Sequence, residues 1–157
     1  MCIRDSPAHA VRGPKHVVKK GRTPVLDREE ARALLSAIDT GSLVGLRDRA
    51  LIGTMIYSFA RVGAVLAMNV GDYFTQGRRG WLRLHEKGGK EHETPCHHKL
   101  EAFLDEYIRT AAIAGDEKSP LFRSAIRRTG VLAATAMHRV DAWRMAVSYT
   151  HLDAFDA

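Results

Sequence analysis

Gly45-Leu46-Arg47-Asp48-Arg49-Ala50-Leu51-Ile52-Gly53, continuing through Thr54-Met55-Ile56 to Tyr57-Ser58-Phe59-Ala60-Arg61-Val62, is the stretch on which the fold turns. Its apolar residues Leu46, Ala50, Leu51, Ile52, Met55, Ile56 and Phe59 spread around most of a helical wheel. A helix apolar on nearly every side is surrounded by protein, so a central buried helix is expected from about Leu46 to Phe59. Arg61 stands just beyond its end. A guanidinium is always charged, and its fork of donors fits two phosphate oxygens at once. Placed directly after a packed helix, it would be held ready for an anion. The plainer alternative is a cation favoured by the negative end of the helix dipole. Spacing alone favours that alternative; the surrounding sequence has to decide.

Upstream, Asp27-Arg28-Glu29-Glu30 has the form of a capping box that opens a helix. Ala31, Leu34, Leu35 and Ile38 follow at helical spacing and mark one buried stripe. Residues 41 to 45, which begin and end in glycine, are expected to break that helix from the next. A short third helix is expected over about Val62 to Met68. Then the period changes from helical to alternating. Tyr73-Phe74 and Trp81-Leu82-Arg83-Leu84-His85 read as strands joined through Gln76-Gly77-Arg78-Arg79-Gly80. Lys87-Gly88-Gly89-Lys90 reads as a tight turn, because paired glycines tolerate the positive φ that short hairpin loops need. Glu91 to Thr94 is the return strand, which Pro95 ends. Leu100, Phe103, Leu104, Tyr107, Ile108 and Ala111 mark an amphipathic helix closing near Gly115. Residues 120 to 122 read as a short extended piece, and Asp141 to Met145 as a helix cut off soon after it starts. The expected fold class is mainly α with one small antiparallel β-sheet, an α+β arrangement.

Composition bounds the function. The chain has 157 residues, 45% of them hydrophobic, enough to bury a core. Its 24 Lys and Arg against 18 acids give a net charge of +6 and a pI near 9.6, which favours a polyanionic partner. Ala50 to Ala60 is too short and interrupted to span a bilayer, and no signal peptide opens the chain. Cys2 and Cys96 imply no disulfide framework, so a reducing, bacterial cytoplasm is expected. His92, Cys96, His97 and His98 lack the spacing of a zinc site, so no metal is expected. Gly88-Gly89-Lys90 lacks the spacing of a nucleotide-binding P-loop. Residues 11 to 22, with Lys15, Lys19 and Lys20 among five cations, read as an exposed linker able to lie along a phosphate backbone.

The Gly45–Val62 stretch resembles the first conserved box of tyrosine recombinases of the phage-integrase type. Leu84-His85-Glu86-Lys87-Gly88-Gly89-Lys90-Glu91, with Thr94-Pro95 behind it, resembles the strand–turn–strand that follows in the same family. The resemblance implies Arg61 as a catalytic arginine at the scissile phosphate and Lys87 as the general acid that protonates the departing 5′ oxygen. A lysine can serve when nearby positive charge and partial desolvation lower its pKa. Lys90, Arg78, Arg79, Lys15, Lys19 and Lys20 would be DNA contacts. The intact parent would cut by tyrosine attack, pass through a 3′-phosphotyrosyl intermediate, and need no cofactor or small-molecule ligand. It would assemble as a tetramer on two duplex DNA sites, away from any membrane.

The sequence also departs from that pattern. Gly63-Ala64 stand where many members carry Ser-Glu, so Arg61 needs another partner. The family's His-x-x-Arg box is not found: three residues after His138 stands Asp141. Residues 1–6 and 147–157 resemble translated sequencing adapter. The expected organisation is therefore a scar at 1–6, a basic linker at 7–24, a truncated catalytic domain at 25–146 and a second scar at 147–157. On that reading Cys2 to Ser6 and Tyr149 to Ala157 pack against nothing, Tyr149 is no nucleophile, and the chain does not turn over. A non-catalytic basic DNA-binding domain from a decayed or domesticated integrase is the alternative. A helical RNA-binding domain ranks lower, for want of exposed aromatic platforms.

Overall fold

The computed structural model describes residues 26–86, 88–127 and 129–150. The chain runs α1 (Arg28–Ala37), α2 (Leu43–Ser58), α3 (Val62–Leu66), β1 (Tyr73–Gln76), β2 (Arg79–Glu86), β3 (Lys90–Pro95), α4 (His98–Ala111), β4 (Arg123–Ala125), β5 (Leu132–Ala136) and α5 (Arg139–Thr150). The strands form a three-stranded antiparallel sheet ordered β1-β2-β3 and a separate β4-β5 ribbon. The α+β class is as expected. The second small sheet is not, because Arg123–Ala125 and Leu132–Ala136 show little alternation of buried and exposed residues.

α1 opens with the expected capping box. The Asp27 carboxylate accepts from the backbone N–H groups of Glu29 and Glu30, both at 2.8 Å, and the Glu30 carboxylate accepts from Asp27 N–H at 2.8 Å. This satisfies donors that a helix start otherwise leaves without partners. α2 is the central helix, buried from Gly45 through Thr54 except for the half-buried Arg49. Its start corrects the expected break at 41–45. Ser42 caps it by accepting from Gly45 N–H, so Gly45 lies inside the helix. A Cβ there would stand 1.7 Å from the Asp39 carbonyl oxygen, so only glycine lets the α1–α2 connection pass this close.

α4 packs along α2. Leu100 and Phe103 lie against Gly53, and Leu100, Leu104 and Tyr107 are fully buried. In β2, Gly80, Leu82 and Leu84 are buried while Trp81, Arg83 and His85 are not, the period of two that alternation predicts. The hairpin register pairs Glu86 with Lys90 and His85 with Glu91. Gly88 and Gly89 take φ of +86° and +72°, where a Cβ would be strained.

Two ionic side chains lie in this core. Arg47 and Asp48 are each 3% exposed. Arg47 donates through Nε to Asp48 Oδ1 at 2.8 Å and through Nη1 to the Arg123 carbonyl at 2.8 Å. This ties α2 to the β4-β5 ribbon. Burial pushes the Asp48 carboxyl above its ordinary value, and the Arg47 charge pulls it back only in part.

The structure overturns one expectation at the C-terminal end. α5 runs on through Val147-Ser148-Tyr149-Thr150. Tyr149, expected to touch nothing, is half-buried against the core and donates its hydroxyl to Asp48 Oδ2 at 3.0 Å. The physical reason is spacing. Tyr149 follows buried Met145 by four residues, on the same helical face, and its phenol has both an apolar body and a polar tip that finds a carboxylate. The expectations for Cys2–Ser6 and 151–157 fall outside the described residues.

Candidate nucleic-acid interface

Arg61 sits at a corner between two helices. α2 ends at Ser58, and Phe59 takes a left-handed conformation (φ 54°, ψ 20°) that turns the chain out of the helix. Arg61 then has extended backbone (φ −66°, ψ 142°), and its carbonyl accepts from Ala64 and Val65 N–H to start α3. The backbone of Arg61 is thereby anchored from both sides, by α2 and by buried Ala64, Val65 and Leu66. The side chain itself is exposed, and among the described residues no carboxylate pairs with it. Among the described residues no acid forms an ion pair with Arg61 in place of the glutamate missing at Gly63-Ala64, although Glu86 lines the same cleft.

That guanidinium lines a cleft of about 360 Å³ with Val62, Gly63, Ala64, His85, Glu86 and Arg139. The cleft joins four elements. α2 and α3 supply Arg61, the end of β2 supplies His85 and Glu86, and the first residue of α5 supplies Arg139. His85 is held in place by Asp72, with Nε2 3.1 Å from the carboxylate, and by Glu91, with Nδ1 at 3.6 Å. Asp72 is buried and also accepts from Asn69 N–H at 2.8 Å, so its position is set by the turn at Val70–Asp72.

Sequence reasoning missed Arg139 and His85. His138 attracted attention as a possible start of a His-x-x-Arg box. In the structure its Nδ1 accepts from Val140 N–H at 3.3 Å, and its carbonyl accepts from Asp141 and Ala142 N–H, which is a helix-starting role. The next residue, Arg139, lines the same cleft as Arg61. Nothing local in the sequence marks it, since the pairing spans 78 positions.

The other expected residues divide. Lys87, Lys15, Lys19 and Lys20 lie outside the described residues. Lys90 is exposed and pairs with Glu86 across the hairpin, at the Arg61 end of β2. Arg78 and Arg79 are exposed at the β1–β2 turn, the opposite end of β2. Seven residue steps of strand put them about 23 Å from the Lys90 end. The structure therefore brings Arg61 and the Lys90 end together and leaves Arg78 and Arg79 apart from them. The Tyr57 and His97 rings stack 4.5 Å apart and nearly parallel, and the His98 ring lies tilted at 4.2 Å from His97. Cys96 is buried at the β3–α4 junction, where burial pushes its thiol up to about 12. No described helix is long and apolar enough to cross a membrane.

Arg61 and Arg139 line one cleft beside the glycine-tipped β2–β3 hairpin, and among the described residues neither forms an ion pair with a carboxylate. The phage integrase family model matches residues 24–154, and the chain belongs to that family. It is 32% identical over 121 residues to the tyrosine recombinase XerC of Pelobacter propionicus, covering 76% of this chain and 38% of that protein. It is 31% identical over 144 residues to the tyrosine recombinase XerD of Xanthomonas campestris pv. campestris, covering 82% and 43%. A solved structure with the same fold is the XerH site-specific recombinase bound to a palindromic difH substrate in a post-cleavage complex. It matches at a TM-score of 0.63 and 17% identity, over 84% of this chain and 36% of that one. The chain thus spans about two fifths of the length of these relatives.

Proposed function

We propose that this chain is the first-arginine portion of a site-specific recombinase's catalytic domain and that it binds duplex DNA. The observation that carries the reading is Arg61, exposed and without an ion-pair partner among the described residues, at a corner anchored by α2 and α3 and lining one cleft with Arg139. A scissile phosphate placed there would meet two guanidinium forks, and charge developing on phosphorus in the transition state would be stabilised by donors already in position. Arg61 is the catalytic arginine of this reading. Lys87, which follows Glu86 in the sequence, is the general acid of this reading at the departing 5′ oxygen. Lys90, Lys15, Lys19 and Lys20 contact phosphates around it. Arg78 and Arg79 would contact DNA only if the duplex also follows the sheet to its far end.

In the intact parent, a tyrosine supplied by further sequence attacks phosphorus, forms the 3′-phosphotyrosyl bond, and stores the energy needed for rejoining, without a cofactor. The parent acts as a tetramer on two sites, in the cytoplasm of a bacterium. The XerH complex with its DNA substrate supports the choice of duplex DNA as partner.

The test is a fluorescence-anisotropy titration of duplex DNA at two or more salt concentrations. Phosphate contacts release counterions, so affinity should fall steeply as salt rises. Arg61→Ala should lower the log–log slope by about 1, the value for one phosphate contact. Binding that ignores salt would defeat the reading.

A further inference from the structure

Phe59 is the most exposed large apolar side chain among those described, at 93%, and it holds a left-handed backbone (φ 54°). A non-glycine residue in that conformation is strained, and an exposed ring returns nothing to folding. Phe59 lines a second cleft, of about 510 Å³, between the start of α1 and the start of α4. The floor is the stacked pair Tyr57 and His97. Arg28 from α1 and Lys99 from α4 line the walls, and neither has a carboxylate partner among the described residues. A third cation, Arg32, is partly engaged by Glu29 at 2.9 Å. The one acid lining the cleft, Asp27, has its carboxylate occupied by two backbone N–H groups of α1.

The two clefts are lined by residues two steps apart, Phe59 in one and Arg61 in the other, and two residue steps cover at most about 7 Å.

We propose that this second cleft holds the stretch of duplex DNA next to the phosphate at Arg61, with Arg28 and Lys99 on its backbone and Phe59 against the deoxyribose edge of the groove. The inference rests on the DNA-binding reading above and deepens it. Charge complementarity selects the occupant. The cleft offers two free cations and a flat aromatic floor, and a wedge-shaped apolar tip beside backbone-contacting cations is the arrangement proteins use against a groove.

The experiment repeats the salt-dependent anisotropy titration with the full chain, using the Arg28→Ala/Lys99→Ala double variant, Phe59→Gly, and Arg61→Ala as reference. Phe59→Gly is chosen because glycine accepts φ of 54° without strain, so lost binding cannot be ascribed to unfolding. The double variant should lower the log–log salt slope by about 2. Phe59→Gly should weaken binding about fivefold or more, with the slope unchanged, as expected for an apolar contact. The proposal requires both effects. Steep wild-type binding that is lowered by Arg61→Ala but unchanged in either of the other two variants overturns it and leaves the DNA-binding reading standing. Wild-type binding without salt dependence overturns both.

Discussion

Cutting Asp48 back to alanine should cost far more than its few atoms suggest. The Arg47 guanidinium, 3% exposed, makes three bonds to protein: through Nε and Nη2 to Asp48 and through Nη1 to the Arg123 carbonyl. Asp48→Ala leaves only the last, and it also strips Tyr149 of its acceptor. Removing one member of a buried ion pair leaves an uncompensated charge and costs about 3–5 kcal/mol. A single domain is stable by only about 5–15 kcal/mol, so this one change consumes a large share. With a urea m-value of about 2 kcal/mol per molar, the midpoint should fall by about 2 M. The companion variant Arg47→Met/Asp48→Leu removes both charges and keeps volume. It should recover most of the loss, because a buried pair replaced by well-packed apolar residues is often neutral. Urea unfolding of the parent, Asp48→Ala and the double variant, followed by circular dichroism, measures both numbers. A loss under about 1 kcal/mol in Asp48→Ala, or a double variant no more stable than the single, would refute the claim that an isolated buried guanidinium dominates the cost.

Arg61→Ala should leave thermal stability within about 0.5 kcal/mol of the parent while weakening DNA binding, since its side chain is exposed and unpaired; calorimetry beside anisotropy separates the two. Phe59→Gly should raise stability by up to about 1 kcal/mol by relieving the left-handed strain, measured by urea unfolding. Tyr107 and Tyr149 are both pushed up to about 12 by burial. Their folded-state pKa values lie above the usual 10, so the stability they contribute is complete below pH 10 and is lost as pH rises towards 12. Absorbance at 295 nm should show delayed ionisation against the urea-unfolded chain, and coincident curves would contradict the burial. Offered a suicide DNA substrate, the chain should form no denaturation-resistant adduct. An adduct lost in Tyr149→Phe would show that Tyr149, bonded to Asp48 in this structure, can leave that bond and attack.

Much of the fold was legible because its signals are local. Asp27 and Glu30 announce α1 through a three-residue spacing. The circumferential apolar pattern from Leu46 to Ile56 announces a central helix, and alternation from Gly80 to Leu84 announces β2. In each, propensity and burial act at the same residues within one or two turns. The place of Arg61 just past that buried helix was legible for the same reason, but its reading as a phosphate contact rested on the resemblance of the surrounding residues. The β4-β5 ribbon was not legible. Its strands are short and mostly polar or small, and their pairing is supported by non-local bonds such as Met137 N–H to the Phe122 carbonyl at 2.9 Å.

What the sequence determined by itself is thus the class of fold, the buried helix, and the arginine delivered at its end. The tertiary structure alone decided which groups share a cleft with that arginine. Arg139 and His85 reach it from elements that are neighbours only after folding. Arg78 and Arg79, close to His85 in sequence, stand at the other end of the strand. Tyr149 shows the same division. Read along the chain it belonged to a tail with no partner, but helical spacing after Met145 turns its ring onto the core and its hydroxyl onto Asp48, 101 residues away. Hydrogen bonds and clefts depend on distance in space, and residue order constrains that distance only over a turn of helix or a few steps of strand.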